Sequence, residues 1–219
     1  MNATYQSNKF VKTFNLPYQL GVYLAVNAVS DACVVVDGSD CVMPKIDFLA
    51  GNHDIYSTLL SPDGNHRVIC TMTGPLPQND NHEKKLSDLL AGVAASGDFA
   101  VVMATGLPFF KLAGMDYEGI AAGIKTGAPV VDVPARSLGS DWLEGYALAL
   151  DALARALPAV KGSAMRRRQK RGGVKKYKPL VALAGYLMDR NERDHAANIE
   201  ELGRLLGLCG LELACVFPS

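Results

Sequence analysis

The sequence predicts an α/β chain: a Rossmann-like parallel sheet with helices on both faces, followed by a partial second βαβ unit. Three observations lead there. Short β-branched runs alternate with longer stretches of helical periodicity. The runs ACVVV (32–36), RVICT (67–71) and FAVVMAT (99–105) show no apolar/polar alternation, as expected of strands covered on both faces. Glycine-bearing loops follow these runs, where an open parallel sheet gathers its ligands.

The elements follow in order. Asn15-Leu16-Pro17 predicts a helix start, with Asn15 as cap, and Leu20, Tyr23, Leu24 and Asn27 share one face of the helix after it. The strands 32–36 and 67–71 come next. Asn81 predicts a cap for a helix through Glu83 to Ala95, with Leu86, Leu89, Leu90 and Val93 inward. The strand 99–105, a helix around 117–125 and the strand PVVDV (129–133) follow, and Ser140 opens a helix to about 157. AMRRRQKRGGVKKYK (164–178) carries eight Lys or Arg and no acid. PLVALAGYLM (179–188) then predicts a strand, a helix runs through Leu202, Leu205 and Leu206 to Gly207 or Gly210, and LELACVF (211–217) is the last strand. The expected organisation is a first domain over 1–160, a basic linker over 161–178 and a partial βαβ unit over 179–219, either cut short or docked on the first domain.

Composition excludes several classes. Net charge is zero over 219 residues, so any case for nucleic acid must be local. The local case is the run 164–178. There Gly172-Gly173 break any helix that would present the charges, and only Tyr177 could stack on a base, so a solvated linker outweighs nucleic-acid binding. No apolar run reaches the roughly 20 residues of a membrane span, and the N-terminus lacks a signal-peptide core. The five cysteines are an odd number without disulfide-scaffold spacing, which predicts free or metal-bound thiols in a reducing, cytoplasmic setting.

Three loops, 37–41, 73–81 and 105–109, lie beyond strand ends, and none is a phosphate fingerprint. The first carries Cys41, and Cys70 ends the second strand. Thiolates are soft ligands suited to iron, and an iron–sulfur cluster normally takes four of them, which two chains could supply by giving two each. Alternatively, these are small buried hydrophobes. Cys33 lies inside a strand, and Cys209 and Cys215 read as structural. Asp37 and Asp40, flanking Ser39, could do acid–base work or satisfy turn backbone. His53, His66, His82 and His195 show no zinc spacing.

The order of these features resembles the nitrogenase component 1 superfamily: molybdenum–iron protein subunits, cofactor-assembly homologues and light-independent protochlorophyllide reductase subunits. PYQLGVYLAVNAVSDACVVVDGSDC resembles the first helix, first strand and "H-G-x-x-G-C" loop. NDNHEKKLSDLL resembles the "G-G-E-K-K-L" helix start, with Asn81-His82 in place of two glycines. DFAVVMATGLPFFKLAGMDYEGIAAGI resembles the strand, "S-T-C-P" loop and "I-G-D-D" helix. ALAGYLMDRNERDHAANIEELGRLLGLCGLELACVF resembles the opening of the second domain. The resemblance implies an interface iron–sulfur cluster, of the [4Fe-4S] kind, shared between two chains. It also implies electron transfer from an ATP-dependent iron-protein reductase and assembly as a homo-oligomer or with a paralogous subunit. Two ligand positions depart from the pattern: no cysteine stands near Pro17-Tyr18, and Gly106 stands at the "S-T-C-P" cysteine. Of the family's three usual ligands only Cys41 remains, and a homodimer could hold four thiolates as two Cys41 and two Cys70 if Cys70 faces the interface. A cluster-free paralogue acting as a binding or assembly module is the alternative.

Overall fold

The computed structural model describes residues 16–52, 54, 56–74, 81–136, 139–156, 178–184 and 195–217. Most of the basic linker, Asn15, and residues 75–80 of the second loop lie outside that set. The first part of the chain runs α1 (Tyr18–Ala28), β1 (Ala32–Asp37), α2 (Val42–Asn52), β2 (Val68–Cys70), α3 (His82–Ala95), β3 (Val101–Gly106), α4 (Pro108–Leu112), α5 (Tyr117–Gly123), β4 (Val130–Asp132) and α6 (Trp142–Ala156). The four strands form one parallel sheet in the order β2-β1-β3-β4.

The absence of alternation in β1 and β3 has the expected cause, because every residue of both strands is buried. Successive side chains go to opposite faces. Val34, Val36, Val101 and Met103 join one core with side chains of α1, α2 and α6. Val35, Val102 and Ala104 join the other with α3, α4 and α5. The sheet is thus wound on both faces. The chain leaves β1 toward β2 on one side and returns to β3 on the other, so the strand order reverses between the carboxyl ends of β1 and β3.

Two glycines let helices of the first face meet backbone to backbone. A Cβ on Gly21 would fall 1.7 Å from the Trp142 carbonyl oxygen, and one on Gly145 would fall 2.1 Å from that of Tyr18. Arg67, just before β2, is buried under the end of α1. Its Nη1 donates to the carbonyls of Val26 (2.8 Å), Val29 (2.7 Å) and Ala32 (3.1 Å), and its other nitrogens donate to Thr58. A guanidinium therefore gathers the carbonyls around the end of a helix, two of which also accept a backbone N–H.

Helix starts differ from sequence expectation in their chemistry. Asn81 occupies the cap position of α3 but its side chain makes no cap bond. At α6 the cap is Asp141 rather than Ser140, since its Oδ1 accepts from Leu143 N and Glu144 N at 3.1 Å each. Asp116 caps α5 by accepting from Gly119 N. Helices α2 and α4 occupy segments for which the sequence predicts no helix.

The remaining described residues form β5 (Leu180–Ala184), α7 (His195–Leu208) and β6 (Glu212–Phe217). β5 and β6 pair in parallel as a two-stranded sheet of their own, with a register shift between Val181 and Ala182. Gly210, at φ +79°, ends α7: Leu211 N returns to Leu206 O and Gly210 N to Gly207 O, the bond pattern of a Schellman turn. Among the described residues, no helix is long and apolar enough to cross a membrane.

Candidate functional site

Beyond the carboxyl ends of β1 and β2, the backbone brings two predicted ligands to one place. Cys41 stands just before α2 and is exposed. Its Sγ lies 3.4 Å from Ser39 Oγ, and Lys45 Nζ, one turn along α2, donates to it at 3.7 Å. The helix N-terminus and the ammonium make the setting electropositive. Cys70 ends β2 and is half-buried. Its thiol donates to the carbonyls of Gly38 (3.3 Å) and Ser39 (3.2 Å) and accepts from Met72 N at 3.4 Å. Burial pushes the Cys70 thiol up, the Met72 amide opposes this, and the nearby Cys41, Asp37 and Asp40 add to the rise. Both sulfurs thus contact one residue, Ser39, from opposite ends. Met72, the next residue but one after Cys70, has φ +56° and is exposed, a left-handed conformation uncommon outside glycine.

The other cysteines lie apart from this pair. Cys33 is wholly buried in β1, and burial pushes its thiol up to about 12. Cys209 and Cys215, read from sequence as structural, are both exposed. Among the described residues no three His, Cys, Asp or Glu side chains cluster closely enough to hold a metal ion.

A second constellation lies beneath this rim. Asp37, the last residue of β1, is fully buried. His82 Nε2 lies 2.9 and 3.0 Å from its two carboxylate oxygens. Tyr117 Oη donates to Oδ2 at 2.9 Å, and Thr71 Oγ1 donates to Oδ1 at 2.8 Å. A carboxylate only accepts, so His82 carries its proton on Nε2. The His82 ring stacks on Phe110 with centroids 5.4 Å apart. Burial and the Asp37 charge push the Tyr117 phenol far up. The group joins β1, α3, α5 and the residue after β2.

This network sits where the strand order reverses. Asp37 and Gly106 are register partners there. A Cβ on Gly106 would fall 2.1 Å from Tyr117 Oη, and one on Gly38 would fall 2.6 Å from the Leu107 side chain. The crevice that holds ligands in many doubly wound sheets is therefore packed with this chain's own side chains. Asp37 is a buried anchor, whereas Asp40 lies in the turn ahead of α2, its carbonyl accepting from Met43 N. Sequence reading missed the role of His82. The available signal was a carboxylate ending an all-apolar strand, which requires a buried donor.

No family model matches the chain, and no curated protein matches it. A solved structure described as nitrogenase Cp1 at pH 6.5 does match, with a TM-score of 0.62 and 11% sequence identity over 97% of this chain. The fold is nitrogenase-like. The chain spans 42% of the length of that nitrogenase chain. At this identity the likeness carries the fold, while the thiol pair and the buried Asp37 group rest on this chain's own geometry.

Proposed function

We propose that this nitrogenase-like chain is an oxidoreductase component or cofactor-assembly protein, in which Cys41 and Cys70 of two chains hold an iron–sulfur cluster at their interface. The observation that carries this reading is the approach of both thiols to Ser39 on an exposed rim. The donor set fits in kind, because both are sulfur, the ligand that clusters take. It fits in number only across two chains, with two sulfurs from each. When bound, such a cluster supplies low-potential one-electron transfer, with an ATP-dependent iron-protein reductase as the electron source.

The chain's own contribution can be read from its hydrogen bonds. Cys41 is open to a partner surface, and Lys45 and the start of α2 place positive charge beside it. Cys70 gives its proton to two carbonyls, so it must lose that proton and turn its sulfur outward to become a ligand. Anaerobic reconstitution of the whole chain with ferrous iron and sulfide tests the reading. It expects stoichiometric iron, an EPR signal on reduction and an assembly larger than the monomer, all lost in Cys41→Ala. Full cluster content in Cys41→Ala would identify the wrong ligand.

The saturation of the Cys70 thiol by backbone groups favours a second reading, a cluster-free binding or assembly module. Reconstituted protein without stoichiometric iron, and with unchanged folding, would select it.

A further inference from the structure

Cys41 and Cys70 come from different loops, and hydrogen bonds fasten those loops together. Gly38 N donates to Thr71 Oγ1 at 3.1 Å, Thr73 N to Gly38 O at 2.8 Å, and Thr71 N to Val36 O at 3.0 Å. The stretch that leads from β1 to Cys41 is thus held against the stretch that follows Cys70. The Ser39 carbonyl oxygen draws the two closer. It accepts from the Cys70 thiol at 3.2 Å and from Val42 N, the amide next to Cys41, at 3.4 Å. Cys70 Sγ and the backbone beside Cys41 therefore converge on one atom.

The two thiols differ in access. Cys41 is exposed at the start of α2, with Lys45 Nζ 3.7 Å from its sulfur. An exposed sulfur faced by positive charge is open to reaction with a disulfide that arrives from solvent. Cys70 is half-buried, and two carbonyls hold its thiol, so it meets such a reagent second.

We propose that Cys41 and Cys70 form a thiol–disulfide exchange couple whose oxidant is a low-molecular-mass disulfide of the glutathione class. The Cys41 thiolate attacks one sulfur of that disulfide. A mixed disulfide forms, and one small thiolate leaves. Cys70 then gives up its proton, and its sulfur attacks Cys41 Sγ. The second small thiolate leaves, and an intrachain disulfide remains. Two electrons have passed from the cysteines to the small disulfide, and the two cysteine protons end on the two small thiols. Closure asks each sulfur to turn from its present partners, and the fastened loops hold the two at high effective concentration. In the closed form neither sulfur is free to ligate a metal, so oxidation would shut the cluster site. The couple itself needs no metal and does not rest on the cluster reading.

The test uses the whole metal-free chain carrying Cys209→Ser and Cys215→Ser, which leaves Cys33, Cys41 and Cys70. Excess oxidised glutathione is added without metal or air, and the product is read by mass spectrometry, with circular dichroism to confirm folding. The expected product is a monomer lighter by two hydrogens, whose digest shows Cys41 joined to Cys70 and which reductant restores. Adding Cys70→Ser should stop the reaction at one lasting glutathione adduct on Cys41. Adding Cys41→Ser should abolish the fast phase of reaction. A lasting adduct on Cys41 in protein that keeps Cys70 would overturn the proposal. So would a disulfide between two chains, or a folded pair that does not react. Failure to reconstitute a cluster leaves the result untouched, because no metal enters the test.

Discussion

His82 Nε2 bridges both carboxylate oxygens of Asp37, at 2.9 and 3.0 Å, across 45 residues of sequence. Tyr117 and Thr71 complete the set, so a fully buried charge at the strand-order reversal has four hydrogen bonds. Removing the shared acceptor leaves the His82, Tyr117 and Thr71 donors without it, and a buried donor left unpaired costs about 1–3 kcal/mol. Asp37→Ala is therefore expected to lower the unfolding free energy by that amount in urea titration. Tyr117→Phe loses one charged hydrogen bond and is expected to cost about 1.5–3 kcal/mol. In a double-mutant cycle the two losses should be far from additive, because they share one carboxylate. An Asp37→Ala loss below about 1 kcal/mol, the usual range of an exposed pair, would show that the network does not anchor the fold.

Arg67 makes a separate claim on stability. One guanidinium nitrogen serves three carbonyls near the end of α1 while the others reach Thr58. A lysine has a single charged tip and cannot divide it between these two places. Arg67→Lys should thus recover little of the stability lost in Arg67→Ala. The loss itself is expected to be on the order of 3 kcal/mol, since several charge-assisted bonds go at once. Thermal unfolding followed by circular dichroism compares the three proteins, and a lysine variant as stable as the parent would show that the fork geometry is not needed.

Much of the sheet was legible because burial on two faces writes a simple pattern. Val34, Val35 and Val36 in succession cannot belong to a strand with a wet face. The placement of the two thiols was legible as well, since Cys41 follows a strand end and Cys70 closes the next strand. The partnership of Asp37 with His82 was not. It joins residues far apart in sequence, and an aspartate beside a glycine reads equally well as a turn residue. Helix α2 was hidden by Pro44 and Gly51, although its buried Val42, Ile46 and Leu49 stand at helical spacing. Helix α4 has five residues, too few for a period to show. The cap of α6 fell on Asp141 rather than its neighbour Ser140, because which of two adjacent capping residues acts depends on where the backbone turns.

The contact of α1 with α6 depends on two glycines meeting the opposite backbone. Gly21→Ala would place a methyl 1.7 Å from a carbonyl oxygen that belongs to Trp142 of α6 and cannot rotate away. The helices must separate, which opens the core around Val22, Tyr146 and Ala149. Overpacking of this kind costs about 1–3 kcal/mol or more, and it outweighs the roughly 1 kcal/mol that alanine gains over glycine in a helix. Gly21→Ala is expected to be less stable than the parent, whereas Gly92→Ala, where a Cβ meets nothing, is expected to be as stable or more so. Equal effects at both positions would mean that the helix crossing tolerates expansion.

Buried acids set the alkaline limit of the fold. Burial raises Cys33 from 9.0 to about 12, and burial followed by the Glu144 charge raises Tyr18 from 10.0 to about 12. Both groups are neutral when protonated, and the unfolded chain gives up these protons first. Their contribution is therefore complete below about pH 9 and is lost as pH rises from 9 toward 12. Each such group steepens the fall by up to about 1.4 kcal/mol per pH unit within its own window. Urea midpoints measured from pH 7 to 11 should stay level at first and then drop. Cys33→Ala should start from a somewhat lower plateau, because a buried group has been removed, but decline more gently between pH 9 and 10, where Cys33 alone of these two titrates in the unfolded chain. Thiol labelling gives an independent check. At pH 8 a maleimide should modify exposed Cys41, Cys209 and Cys215 ahead of Cys70, and Cys33 only on unfolding. Prompt labelling of Cys33 in folded protein would contradict its burial and with it the alkaline argument.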